Sequence, residues 1–310
     1  MTSDRRATAH GAGARALHAD EAQIDLPLVR RLLGARFPQW ADRPLTAVES
    51  VGTSNAMYRL GTDLVVRLPR IAGAARDVEK EHHWLPRLAP TLPVAVPTPL
   101  AKGSPAEGYP WPWSVYRWLD GGTPAPGSRA APGRLAADLA EFVAALRRIA
   151  PMDGPPAYRS EPLSARDDAT RAALAALDAV VDTQSATAVW EAALRAPSWP
   201  GPAVWIHADL QPGNVLLARG RLSAVIDFGC VGLGDPAVDV IAAWYLLPAH
   251  ARGTFRTALG VDEATWARGR GWALSIALME LSYYRETHPA MADIARTVIR
   301  EVLLGHPGGG

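Results

Sequence analysis

Apolar positions three and four apart alternate along this chain with apolar positions two apart, and the switch between the two periods predicts its elements. A helix is predicted to begin at Asp25, whose carboxylate can cap the first free amides, with Pro27 in the first turn and Leu28, Leu32 and Leu33 facing inward. Pro38 and Pro44 end it. Short β-type runs follow at Leu45–Ser50, Ala56–Leu60 and Leu64–Leu68, separated by turns at Gly52 and at Gly61 to Asp63, which reads as a three-stranded antiparallel meander. The period returns to that of a helix over Ala74–Leu88, with Val78, Leu85 and Leu88 on one side. Pro90, Pro93, Pro97 and Pro99 then force an extended passage, and Trp113–Leu119 reads as a further strand.

Asp120 to Gly127 is the most linker-like stretch, and a boundary there divides the chain into residues 21–119 and 120–305. The second part reads as mostly helical, over Pro132–Ile149, Ala165–Leu194, Pro236–Leu247, Asp262–Tyr284 and Pro289–Leu303, interrupted by a strand-rich region from Ala203 to Asp227. The class is therefore α+β. Met1 to Asp20 and His306 to Gly310 lack periodicity, and frayed ends are expected.

Composition narrows the chemistry. The 32 Lys+Arg against 31 Asp+Glu leave a formal charge of +1, without the basic excess of a dedicated nucleic-acid binder. Cys230 is the single cysteine, so neither an intrachain disulfide nor a cysteine-based zinc site can form. No apolar run approaches the roughly 18 residues of a membrane span, and no signal segment is readable, so a cytoplasmic location is expected. Monomer and homodimer both remain open.

The informative stretch is Ile206-His-Ala-Asp-Leu-Gln-Pro-Gly-Asn214, followed thirteen residues later by Asp227 in Ile226-Asp-Phe-Gly229. A short hairpin between Asn214 and Asp227 would fold the second carboxylate back onto the first loop. Asn214 and Asp227 are then suited to hold Mg²⁺, and Asp209 to accept a proton from an attacking hydroxyl. His207 would stiffen the loop. Asp, Asn, Pro and Gly are also ordinary loop residues, so the weight lies on the spaced set.

The same residues resemble the catalytic and metal-binding loops of the aminoglycoside phosphotransferase family, except that Ala208 stands where the family has glycine. The resemblance runs from about Leu45 to Leu303. It implies a two-lobe protein-kinase-like fold, with a small antiparallel sheet and one helix in the N-lobe and a larger helical C-lobe. It also implies Mg²⁺ as cofactor, ATP or GTP as phosphate donor, and a small hydroxyl-bearing acceptor, most readily an aminoglycoside-type antibiotic. A macrolide, or a metabolite such as choline or homoserine, is the alternative within the class; a nucleotide-binding pseudokinase that acts as an interaction module is the alternative outside it.

On the family pattern, Thr53 and Ser54 lie in the phosphate loop, and Arg67 takes the place of the strand lysine that contacts the α- and β-phosphates. The chain has only Lys80 and Lys102, neither on a strand. Glu81 is the helix partner of Arg67, and Trp118 and Leu119 form the hinge under the base. Asp235 reads as a helix cap and Asp239 as a ligand of the catalytic-loop backbone. Seven acids between Asp153 and Arg195 face four arginines, a lid that would suit a cationic acceptor. Glu280, set in an apolar run, is placed to meet an amine of the acceptor or to pair with Arg285 or a neighbouring helix.

Overall fold

The computed structural model describes residues 21–48, 54–124 and 132–304. The expectations for the chain ends, for Gly52 and Thr53, and for the far side of the linker fall outside these residues. Helix α1 (Leu26–Arg36) starts as expected, with Asp25 Oδ1 accepting from the Leu28 amide at 2.8 Å and Leu28, Leu32 and Leu33 buried. Strands β1 (Leu45–Ala47), β2 (Asn55–Leu60) and β3 (Leu64–Pro69) form the antiparallel meander. Helix α2 (Ala72–Leu88) follows, then β4 (Pro99–Gly103) and β5 (Trp113–Arg117).

The sheet order is β1-β2-β3-β5-β4. The passage after Pro90 thus ends in a true strand. Its opening proline is tolerated because β4 is at the sheet edge, where one row of amides needs no partner. The strand expected to reach Leu119 stops at Arg117.

The second part is built from α3 (Pro132–Arg148), α4 (Asp167–Ala176), α5 (Thr183–Arg195), β6 (Val204–Ile206), β7 (Val215–Ala218), β8 (Arg221–Val225), β9 (Gly232–Gly234), α6 (Ala242–Tyr245), α7 (Ala249–Leu259), α8 (Glu263–Tyr284) and α9 (Pro289–Leu303). The single helix expected over Ala165–Leu194 is two: Asp182 ends the first stretch by capping the second, accepting from the Ser185 amide at 3.0 Å. The helix expected over Pro236–Leu247 shrinks to a tight turn at Val238–Ile241 and the short α6.

Two small sheets carry the loops of interest. In β7–β8, Val215 lies opposite Val225; in β6–β9, Ile206 lies opposite Gly232. The β7–β8 hairpin is fixed to α3 by Arg221, whose Nε and Nη2 donate to Asp138 at 2.8 and 2.6 Å. None of the described helices is long and apolar enough to cross a membrane.

Candidate active site

The loop after β6 is shaped by one buried carboxylate. Asp239 accepts from the amides of His207 at 2.9 Å and Ala208 at 2.8 Å, which bends the chain so that Ala208 takes φ 65°, a left-handed value costly for alanine. His207 packs edge-on against Phe228, with centroids 4.8 Å apart, and its Nε2 lies 3.1 Å from the Ile226 carbonyl. The loop before β7 and the loop after β8 are thereby clamped together, and the Ile226 amide donates to the Asn214 carbonyl at 2.9 Å.

Asp209 sits at the centre of this construction. Its Oδ2 accepts from Asn214 Nδ2 at 2.8 Å, and its Oδ1 accepts from Gln211 Nε2 at 2.9 Å and Arg159 Nη1 at 3.0 Å. Gln211 Nε2 also donates to Glu280 Oε1 at 2.9 Å, and Tyr245 donates to Glu280 Oε2 at 2.9 Å. Burial, reinforced by the charge of Asp209, pushes the Glu280 carboxyl up to about 7, although the bonds from Tyr245 and Gln211 oppose the shift. Arg285 pairs elsewhere, with Glu286.

From the sheet side, Arg67 on β3 donates through Nη1 to both Glu81 oxygens at 2.7 Å, and through Nη2 to Asp227 Oδ1 at 2.6 Å. Glu81 on α2 is 1% exposed and also accepts from the Tyr116 hydroxyl. Burial acts to raise the Asp227 carboxyl, but the guanidinium of Arg67 and the field of His207 outweigh it and hold the group below its ordinary value. Asp227 itself has φ 61° and is followed by Gly229, where a Cβ would lie 2.9 Å from an oxygen of Asp77 on α2. The absence of a side chain there lets α2 approach.

The residues expected to hold a metal therefore share one end of the β7–β8 ladder. Asn214 uses its amide nitrogen on Asp209, so its Oδ1 accepts from no described group, and Asp227 likewise keeps Oδ2. Two hard oxygens suit Mg²⁺, which takes few protein ligands and completes its shell from phosphate and water.

The remaining expected residues, among those described, make no hydrogen bond to these side chains. Ser54 precedes β2, its carbonyl accepting from the Arg70 amide at 2.8 Å. Trp118 follows β5; its ring lies under the Arg59 guanidinium at 4.4 Å, and its amide donates to the Asp63 carbonyl at 2.8 Å. No described partner engages the amide of Leu119.

Sequence reasoning did not single out Arg159, Gln211 or Tyr245. Gln211 lies inside the motif, but Arg159 comes from an aperiodic stretch between α3 and α4 with no signal of its own. A surface cleft of about 610 Å³ lined by Ser160, Trp199, Asp235 and Arg268 is separate and touches none of these side chains.

Comparison with known proteins identifies the family and the fold. The profile of the phosphotransferase enzyme family matches residues 47–272. A solved structure described as the GDP complex of a point mutant of an aminoglycoside 2'-phosphotransferase-IIIa superposes with a TM-score of 0.72 at 20% identity, covering 90% of this chain and 97% of that one. The ADP-bound aminoglycoside phosphotransferase APH(2'')-Ib gives 0.61 at 14% identity, with 90% and 98% covered. The macrolide 2'-phosphotransferase MphH from Brachybacterium faecium gives 0.58 at 23%, with 88% and 97% covered. A search of curated protein sequences found no significant match. The fold common to these structures is the two-lobed, protein-kinase-like α+β fold.

Proposed function

The chain belongs to the phosphotransferase enzyme family, a family of small-molecule kinases, and on that premise we propose that it moves the γ-phosphate of ATP or GTP to a hydroxyl of a small, amine-bearing antibiotic of the aminoglycoside type. The observation that carries the reading is the joined set Asp209, Asn214 and Asp227, with the Glu280 carboxylate one side chain away from Asp209. Asp209 is the base: its oxygens accept from Asn214, Gln211 and Arg159, which fixes the carboxylate to receive the proton of an incoming hydroxyl. Asn214 and Asp227 are the residues that would hold Mg²⁺, which would supply charge neutralisation to the phosphates.

Arg67 positions Asp227 and is itself positioned by Glu81. Thr53 and Ser54 contribute to the phosphate loop, and the chain around Trp118 and Leu119 borders the base. Glu280 receives an ammonium of the acceptor. Its hydrogen-bond donors are neutral, so a cation arriving there gains a buried counter-charge. A macrolide, whose amino sugar carries a single ammonium, fits the same lone carboxylate and is the second reading.

The test is to incubate the cytoplasmically expressed chain with Mg²⁺, ATP or GTP, and aminoglycosides, macrolides, choline and homoserine, scoring the mass gain of one phosphoryl group. Asp209→Ala is expected to abolish transfer, a loss of at least about 10³-fold, while Mg-nucleotide binding persists. Full transfer in that variant removes Asp209 from the role. Nucleotide binding without transfer to any acceptor would point to the interaction module instead.

A further inference from the structure

We propose that Arg159 is the second cation of the phosphoryl-transfer site, using the free donors of its guanidinium to bind a peripheral oxygen of the phosphoryl group as it passes from nucleotide to acceptor. The proposal rests on the phosphotransferase reading above and adds a residue to it.

The argument starts from a shortage of positive charge. The loop from His207 to Asn214 contains no lysine or arginine. Arg67 has spent its fork on protein oxygens: Nη1 on both oxygens of Glu81 and Nη2 on Asp227. With the Asn55 amide turned so that its oxygen faces Arg67, Nε at 3.2 Å and Nη2 at 2.9 Å are engaged there as well. A phosphoryl group in flight spreads charge over three equatorial oxygens, and that charge needs donors already in place.

Arg159 meets the requirement. Only 13% of its side chain is exposed, and Nη1 is anchored on Asp209 Oδ1 and the Ala208 carbonyl. Its Nε and Nη2 meet no acceptor among the described residues. Because the guanidinium is a rigid planar fork, those donors are fixed beside the carboxylate that receives the acceptor hydroxyl. Burial opposes the charge of Arg159, but Asp209 more than offsets it, so the cation is held.

The backbone that delivers Arg159 is itself built in. Ala157 donates to the Leu233 carbonyl at 3.0 Å, Tyr158 to the Cys230 carbonyl at 3.1 Å, and Leu233 to the Pro155 carbonyl at 2.8 Å, which lays this segment along β9. Gly232 makes the approach possible, since a Cβ there would lie 2.5 Å from the Ala157 nitrogen. The Tyr158 ring supports the guanidinium from 5.4 Å.

In the step itself the acceptor O–H bond breaks and its proton goes to Asp209. The new O–Pγ bond forms as the bond from Pγ to the β-phosphate oxygen breaks, and that electron pair leaves with the nucleoside diphosphate. Arg159 keeps its proton throughout and contributes hydrogen bonds that strengthen as the charge develops.

The test compares wild type with Arg159→Met and Arg159→Lys, using Mg²⁺ with ADP or GDP, with and without aluminium fluoride as a mimic of the phosphoryl group. Titration calorimetry reads affinity without turnover. In wild type, fluoride is expected to tighten diphosphate binding by at least about tenfold. Arg159→Met is expected to lose that gain while its Mg-diphosphate affinity stays within about twofold, and Arg159→Lys to recover part of it. Once an acceptor is known, kcat should fall about 10²- to 10³-fold in Arg159→Met with acceptor KM nearly unchanged.

Retention of the fluoride gain in Arg159→Met overturns the proposal, as does a rise in acceptor KM at constant kcat. If thermal melts show that the methionine variant does not fold, Arg159→Gln provides the same comparison. A wild-type protein that binds neither Mg-ADP nor Mg-GDP would bring down the phosphotransferase reading itself, an outcome distinct from failure at Arg159.

Discussion

At the scale of single residues, Glu280 shows how burial writes a pH dependence into the fold. Its carboxyl rises from the usual 4.5 to about 7 because desolvation and the nearby Asp209 disfavour the charge more than Tyr245, Gln211 and Arg159 support it. The folded chain therefore holds this proton more tightly than the unfolded chain does. The resulting stability is present in full below the unfolded value and is lost as pH climbs through the folded one, by at most about 1.4 kcal/mol per pH unit over that window. In Glu280→Gln the group no longer titrates. Melting temperatures of both proteins between pH 5 and 8 should show the variant gaining on wild type as pH rises, and parallel curves would mean Glu280 ionises freely. Ala208 departs from the family's glycine, and φ 65° shows what the departure costs; the two bonds to Asp239 hold the conformation against the strain.

At the scale of elements, helix α2 offers an internal comparison, because it sends two carboxylates to cations on the same sheet. Glu81 meets Arg67 in a buried pair, and Glu79 meets Lys102 of β4 at 2.6 Å in an exposed one. Breaking the first leaves a carboxylate that is 1% exposed with Tyr116 as its remaining partner, so Arg67→Met should destabilise by about 3–5 kcal/mol. Lys102→Met should cost no more than about 1 kcal/mol, since water replaces the lost partner. Chemical denaturation of the two variants checks the ranking, and equal losses would show that burial does not govern the α2 contacts. The elements legible in the sequence are those whose signal is local: α1 with its Asp25 cap, the meander with its turn at Gly61, α2, α8 and α9. Strand β9 was not legible, because Gly-Leu-Gly has no strand preference and becomes a strand only by pairing with β6 and the Pro155–Tyr158 segment. The same distinction runs through the site. Asp209, Asn214 and Asp227 share one motif with a readable spacing, whereas Arg159 arrives from 50 residues away along a path set by β9.

At the scale of the whole molecule, the packing does not divide where the linker-like stretch falls. One apolar cluster consists of α1, β1, β2, β3 and β5 side chains such as Leu32, Leu60, Val66 and Trp113. The larger cluster fills the helical part but also takes in Trp84, Leu85 and Leu88 from α2, with Val65 and Tyr116 from the sheet. Trp84 lies 4.8 Å from Trp205, a β6 residue two positions before His207, so the C-terminal half of α2 is packed directly behind the loop that carries His207 and Asp209. The Arg67–Asp227 bridge, buried on the arginine side, crosses the same boundary. A core shared in this way couples the two parts: the small sheet cannot unfold without exposing one wall of the large cluster. Calorimetry of the wild-type chain should therefore give a single endotherm. Trp84→Ala removes the largest apolar side chain in that wall and should cost about 3–5 kcal/mol. It should also split the transition, with the sheet melting below the helical part. Two separated endotherms in the wild type would mean that the clusters are independent, and that contact between Trp84 and Trp205 transmits nothing between the sheet and the helical part.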